Sequence, residues 1–135
     1  MKPSEVSGNS LLKVMTRKIV NLSKKTIIAQ DAKLAGSFFL RLKGLLGEES
    51  IESGGGLIIQ PCDSIHTFFM RFAIDAAFVD KNNRIVKIYS HLRPWRLSGV
   101  FFNSAFCIEL PAGVLAATNT HEGDLIQLDI CPIYL

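Results

Sequence analysis

One stretch of this chain, and only one of any length, carries a helical period. From Ser37 to Leu46 the apolar residues Phe38, Phe39, Leu42, Leu45 and Leu46 fall on one face of a 3.6-residue repeat. Ser37 stands where an N-cap belongs, and Gly47 stands just past the C-terminal end. Most of the remaining sequence alternates with period two between turn residues, the pattern of strands with one face on a core. A chain of 135 residues has the length of one domain and buries enough surface to hold a core without disulfides or metal.

The strands read off in order. Lys18–Leu22 and Thr26–Ala29, joined by Ser23-Lys24-Lys25, form a first hairpin. Glu48–Gly56 reads as a mobile internal loop, followed by a strand at Gly56–Gln60 that Pro61 stops. Ala73–Val79 and Arg84–Tyr89 flank the turn Asp80–Asn83 and make the clearest hairpin in the chain. A strand at Phe106–Leu110, a short helical turn at Val114–Thr118 and a last strand from Leu125 complete the set. The expected class is α+β, mostly β: a small barrel-like antiparallel or mixed sheet with one packed helix and a short C-terminal helical turn. Residues 1–12 read as a disordered lead-in and residues 13–135 as a single domain.

Several function classes drop out. No run of 18 apolar residues exists, so no membrane-spanning helix is expected. The first ten residues lack the apolar stretch of a secretory signal. Cys62, Cys107 and Cys131 are too sparse and too odd in number for a disulfide framework. The expected location is the cytoplasm. The triplet Gly54-Gly55-Gly56 precedes a strand and not a helix, so it offers no phosphate cradle. No other cofactor motif is present, and no cofactor is expected.

The net charge of +3 hides an asymmetry. Residues 1–43 hold nine basic and two acidic groups, and the remainder holds six and ten. The basic groups have no interleaved aromatics and match no RNA- or DNA-binding motif. They read as a solvated face that meets the acidic remainder of one small domain, with nucleic-acid binding as a second alternative function.

The segment Pro61-Cys-Asp-Ser-Ile-His-Thr-Phe-Phe-Met-Arg-Phe-Ala-Ile-Asp-Ala-Ala-Phe-Val-Asp80 is the most distinctive in the chain. Lys43-Gly-Leu-Leu-Gly47, Gly56-Leu-Ile-Ile-Gln-Pro61, Leu92-Arg-Pro-Trp-Arg96, Glu109-Leu-Pro-Ala-Gly113 and Glu122-Gly-Asp124 accompany it in order. Together they resemble the signature of the domain-of-unknown-function family 192, a prokaryotic group. The resemblance implies a small β-barrel-like sheet with a helix packed beside it, and it carries no activity with it. Two positions depart from the family pattern: Ala73 stands where the family often has Pro, and Phe69 where it often has a small residue.

The chemistry-bearing residues cluster on two loops. Cys62 and His66 could pair as nucleophile and base. Metal binding needs three or four protein ligands, and His91, His121, Cys107 and Cys131 are each singly placed, so no metal is expected. Cys62 reads better as a small buried apolar residue, and His66 as a partner of the loop backbone. Asp75 interrupts an apolar strand on the face of Ala73, Ala77 and Val79. If buried there it needs a partner, with Arg71 and His66 as near candidates; Glu109 poses a similar question. Met70, Phe68, Phe69 and Phe72 read as core packing. Arg93, Trp95 and Arg96 share one loop, where a ring can stack on a ligand and guanidinium groups can take carboxylates.

The leading reading is a non-enzymatic binding or accessory domain. Its expected site is a cleft lined by His66, Thr67, Arg71, Asp75, Arg93 and Trp95 for a small anionic ligand or a peptide partner. The alternative is a small enzyme using Cys62 or Asp75 with His66.

Overall fold

Period-two alternation becomes seven strands. The computed structural model of the chain describes residues 16–35 and 50–130. In order these give β1 (Thr16–Asn21), β2 (Thr26–Ala35), β3 (Gly55–Ile59), β4 (Ile74–Asp80), β5 (Ile85–Leu92), β6 (Ser104–Pro111), the single-turn helix α1 (Val114–Ala117) and β7 (Ile126–Ile130). Both expected hairpins are present as antiparallel pairs, β1 with β2 and β4 with β5. The short helical turn after Gly113 is also present. The expected helix Ser37–Leu46 and the lead-in before residue 13 lie outside the described residues.

All seven strands join one sheet in the order β5-β4-β6-β3-β2-β1-β7. Every neighbour pair is antiparallel except β2 with β3, where Asp31 to Ala35 lie beside Gly55 to Ile59 in parallel. A parallel neighbour requires the chain to return to the same end of the sheet before re-entering it.

The sheet curls because its two end strands meet. Arg84 and Leu125 form an antiparallel bridge at the points where β5 and β7 begin. Around it the Ile85 N–H donates to the Asp124 carbonyl (3.0 Å), and the Ile126 N–H donates to the Asn83 carbonyl (2.9 Å). The two strands run apart from there, leaving a half-barrel.

Alternation along β4 assigns its side chains to two cores. Ala77 and Val79 join a cluster to which all seven strands contribute, among them Ile19, Ile28, Ile58, Ile85, Ile108 and Ile126, with Leu115 of α1. That cluster is the interior of the half-barrel. Ile74, Ala76 and Phe78 face the other way, into a cluster with Leu57, Ile59, Cys62, Ile65, Met70 and Cys107. This second cluster lies between β3, β4, β6 and the loop that follows β3. β4 is therefore buried on both faces, which explains a strand apolar at nearly every position. Full burial of each such Ile or Phe stabilises the fold by about 1.5–3 kcal/mol relative to exposure.

One polar latch secures the curled end. The Lys24 ammonium, on the β1–β2 turn, donates to both carboxylate oxygens of Asp124 (3.0 and 2.9 Å). The Asn21 side-chain amide donates to Asp124 (2.9 Å) and to the Thr120 hydroxyl (3.0 Å). The His121 N–H donates to Asp124 as well (2.9 Å). Burial by itself would raise the Asp124 pKa, but these three donors and the Lys24 charge outweigh it and hold the carboxyl below its ordinary value. Here a lysine of the basic N-terminal third meets the acidic remainder of the chain.

Candidate functional site

β3 ends at a cis Gln60–Pro61 bond, and the chain leaves the sheet for the loop Cys62–Arg71. The connection between β5 and β6 runs beside it. The Phe101 N–H donates to the Asp63 carbonyl (2.8 Å), and Ser98 and Ile65 exchange bonds through the Ser98 N–H (3.0 Å) and the Ser98 hydroxyl (2.9 Å). His66 forms an antiparallel bridge with Leu97. The two loops are zipped together along their length.

Thr67 is the clasp. It is wholly buried. Its N–H donates to the Arg96 carbonyl, and its own carbonyl accepts from the Trp95 N–H, both at 2.9 Å. Its hydroxyl donates to the Arg93 carbonyl (2.6 Å) and accepts from the Arg96 N–H (2.9 Å). One residue thus fixes the backbone of Arg93 and Arg96 through its side chain and that of Trp95 through its carbonyl. It holds the surface in shape and does not face solvent.

The clasp presents rings outward. Phe69 is 66% exposed and Trp95 54% exposed, with ring centroids 4.5 Å apart. Phe68 lies 5.8 Å from Trp95 and 5.1 Å from the His66 ring. Phe69 and Trp95 both have positive φ, 67° and 64°. Bulky residues in that region are strained and are found where surrounding structure over-determines them, often at functional sites. The apolar run at 68–72 therefore divides. Met70 is buried and Phe72 packs against the second core, as expected, but Phe69 is turned out to solvent by its left-handed backbone. A small residue suits that φ better, and a small residue is what the family pattern noted above often has there. Arg93, Arg96, Arg71 and His66 are exposed on the same two loops.

Asp75 is elsewhere. It is wholly buried on the half-barrel side of β4, and its carboxylate accepts from the backbone N–H of His91 and of Leu115, each at 2.9 Å. The His91 ring lies 4.0 Å from the same carboxylate. Arg71 and His66, the partners expected from sequence proximity, are not its partners. The reason is tertiary: β5 pairs beside β4 with an irregularity opposite Asp75, and α1 packs on the face of β4 that Asp75 occupies. Asp75 caps the first turn of α1 and fixes His91, itself at φ 53°. His66, for its part, accepts the Phe68 N–H at its Nδ1 (3.2 Å), and the Cys62 thiol donates to the Ser64 carbonyl (3.2 Å).

Glu109 occupies the opposite face from Asp75. On β6 it lies between Leu57 of β3 and Ala76 of β4, and it is buried. Burial above all, and the neighbouring Cys62, push its pKa from 4.5 up to about 8. Burial likewise holds the Cys107 thiol well above the usual thiol range, with Cys62 and Glu109 adding to the effect. Among the described residues no group of three or more His, Cys, Asp or Glu is placed to hold a metal ion. No helix among them is long and apolar enough to cross a membrane.

Comparison with known proteins agrees with this architecture. A UPF0127 protein of Pyrococcus horikoshii is 32% identical over 114 residues, covering 81% of this chain and 96% of that protein. A UPF0127 protein of Thermococcus sibiricus is 30% identical over 117 residues, covering 83% of this chain and 75% of its own length. Two crystal structures share the fold at low identity. One is a protein of unknown function from Novosphingobium aromaticivorans (TM-score 0.72, 17% identity, 84% of each chain). The other is a putative transcription regulator from Sinorhizobium meliloti (TM-score 0.70, 16% identity, 86% of this chain and 94% of that one). At such identities the likeness extends to the fold alone. The model of the family DUF192, "Uncharacterized ACR, COG1430", matches residues 19–128, and the chain belongs to that family.

Proposed function

We propose that the zipped loops form a binding surface for an anionic ligand that also carries an apolar group, either a small molecule or a carboxylate-bearing peptide. The observation that carries this reading is the Phe69–Trp95 pair. Two large rings 4.5 Å apart, more than half exposed, are held in unfavourable backbone conformations by a buried threonine. Exposed aromatics on a rigid frame lose little entropy on binding, and arginines at the rim recognise carboxylates in a bidentate fashion. Arg71, Arg93 and Arg96 supply the cationic rim with the His66 ring beside them, Phe68, Phe69 and Trp95 the apolar floor, and Thr67 the support beneath. The surface acts in the cytoplasm, the compartment that sparse, odd cysteines favour.

The chain has one tryptophan, so its fluorescence reports on this surface alone. Titration with phenylacetate and with a short acidic, Phe-containing peptide should give saturable changes, and acetate and benzyl alcohol should not. Loss of the response in Arg93→Ala and Phe69→Ala variants with unchanged melting temperature would support the reading. An equal response to all four probes, or none, would overturn it. Saturation by one of the two positive probes alone separates small molecule from peptide.

A further inference from the structure

The second core holds a constellation that the binding surface does not use. Cys62 and Cys107 are both buried in it, and neither is in a disulfide. Cys62 lies close enough to Cys107 to add to the rise in its thiol pKa that burial causes. Cys62 is anchored beside the start of β6, its N–H donating to the Ala105 carbonyl (3.2 Å) and its carbonyl accepting from the Ser104 hydroxyl (2.8 Å). Glu109 lies two residues beyond Cys107 on the same face of β6. The carboxyl and both thiols act on one another electrostatically.

The two thiols are not equivalent. Cys62 lines a cavity of about 170 Å³ with Pro61, Asp63 and Ser104. Cys107 has no exposed surface and sits behind it, between Ile59 and Phe78 of the flanking strands. A thiol that lines a cavity, with a second thiol and a carboxyl packed in the same cluster, offers an attacking group, a resolving group and a proton acceptor for thiol–disulfide exchange.

We infer that Cys62, Cys107 and Glu109 form a dithiol centre that exchanges with a low-molecular-weight disulfide, Cys62 attacking first and Cys107 resolving. In the first step the Cys62 thiolate attacks one sulfur of R–S–S–R. A Cys62–S–S–R bond forms, and R–S⁻ leaves and takes up the proton that Cys62 released. In the second step the Glu109 carboxylate takes the Cys107 proton, and the Cys107 thiolate attacks the Cys62 sulfur. The second R–S⁻ leaves and receives the proton from Glu109. Two electrons pass from the protein to the external disulfide, which becomes two thiols. Because burial keeps Glu109 protonated up to about pH 8, its basic form grows as pH rises toward that value, and the resolving step accelerates with it.

The test uses the full chain with Cys131→Ser, so that two cysteines remain. Folded protein is incubated with oxidised glutathione and followed by intact mass and peptide mapping. The expected product has lost two hydrogens, with Cys62 linked to Cys107. Adding Cys107→Ser should stall the reaction with one glutathionyl group on Cys62, and adding Cys62→Ser should leave Cys107 unmodified. Glu109→Gln should slow closure of the protein disulfide about tenfold or more near pH 8, so that the mixed disulfide on Cys62 accumulates. Circular dichroism and thermal melting confirm that each variant is folded; because the parent chain is itself assayed, a variant that fails to fold leaves the first result decisive. Three outcomes would overturn the inference. They are an unmodified parent in native buffer that reacts only in urea, glutathionylation at Cys107 in the absence of Cys62, and closure at a pH-independent rate.

Discussion

Replacing Glu109 by Gln should weaken the loss of stability that rising pH brings. The side chain is buried between Leu57 and Ala76, and burial moves its pKa from 4.5 to about 8. The folded state therefore keeps a proton that the unfolded state releases. Where the folded state binds more protons, stability falls as pH rises. The contribution is complete below pH 4.5 and is lost progressively until pH passes about 8. At 1.36 kcal/mol per pKa unit the loss amounts to roughly 3 kcal/mol by neutral pH and roughly 5 kcal/mol when titration is complete. Gln keeps the shape and cannot titrate. Urea unfolding from pH 5 to pH 8.5 measures both proteins. The wild-type chain should lose stability steadily over this range, and the Glu109→Gln chain should lose less by the amounts given. Parallel profiles for the two proteins would refute the reasoning, because they would mean that Glu109 ionises at an ordinary pH within the fold.

Three further outcomes follow from the geometry. Thr67→Val keeps the shape of the clasp but removes the hydroxyl bonds to Arg93 and Arg96; it should cost about 2 kcal/mol in denaturant unfolding and lower the fluorescence anisotropy of Trp95. Asp75→Asn leaves either the His91 or the Leu115 N–H facing an amide donor in a buried site; it should cost about 1–3 kcal/mol, with faster hydrogen exchange at one of those two amides. Asp124 has a depressed pKa, so its contribution is present above the ordinary carboxylate range and disappears as pH falls through the folded value; wild-type and Asp124→Asn melting temperatures should differ at pH 7 and draw together as pH is lowered through and below the ordinary carboxylate range.

Alternation along Ile74–Asp80 was enough to sort its side chains between two faces, and both clusters follow it residue for residue. Both hairpins were legible as well, the one at Asp80–Asn83 from its turn chemistry and the one at Ser23–Lys25 from the apolar runs that flank it, its turn lacking a strong signal. The partners of Asp75 were not legible. Sequence proximity points to Arg71 and His66, whereas the carboxylate is satisfied by residues 16 and 40 positions away, brought by β5 and α1. Phe69 misled for a related reason. Its composition belongs in a core, and one left-handed backbone angle sends it to solvent.

The sequence by itself determined the strands, their turns, the family and the two loops that carry its distinctive residues, since each depends on neighbours a few positions apart. Only the tertiary structure decided which strands pair, and three consequences follow from that pairing. The Arg84–Leu125 bridge joins the two end strands and curls the sheet. Thr67 becomes a clasp because the β5–β6 connection returns beside it. Cys62, Cys107 and Glu109 converge because β3 and β6 are antiparallel neighbours. Each is a contact between segments distant in the chain, fixed by burying apolar faces on both sides of one sheet.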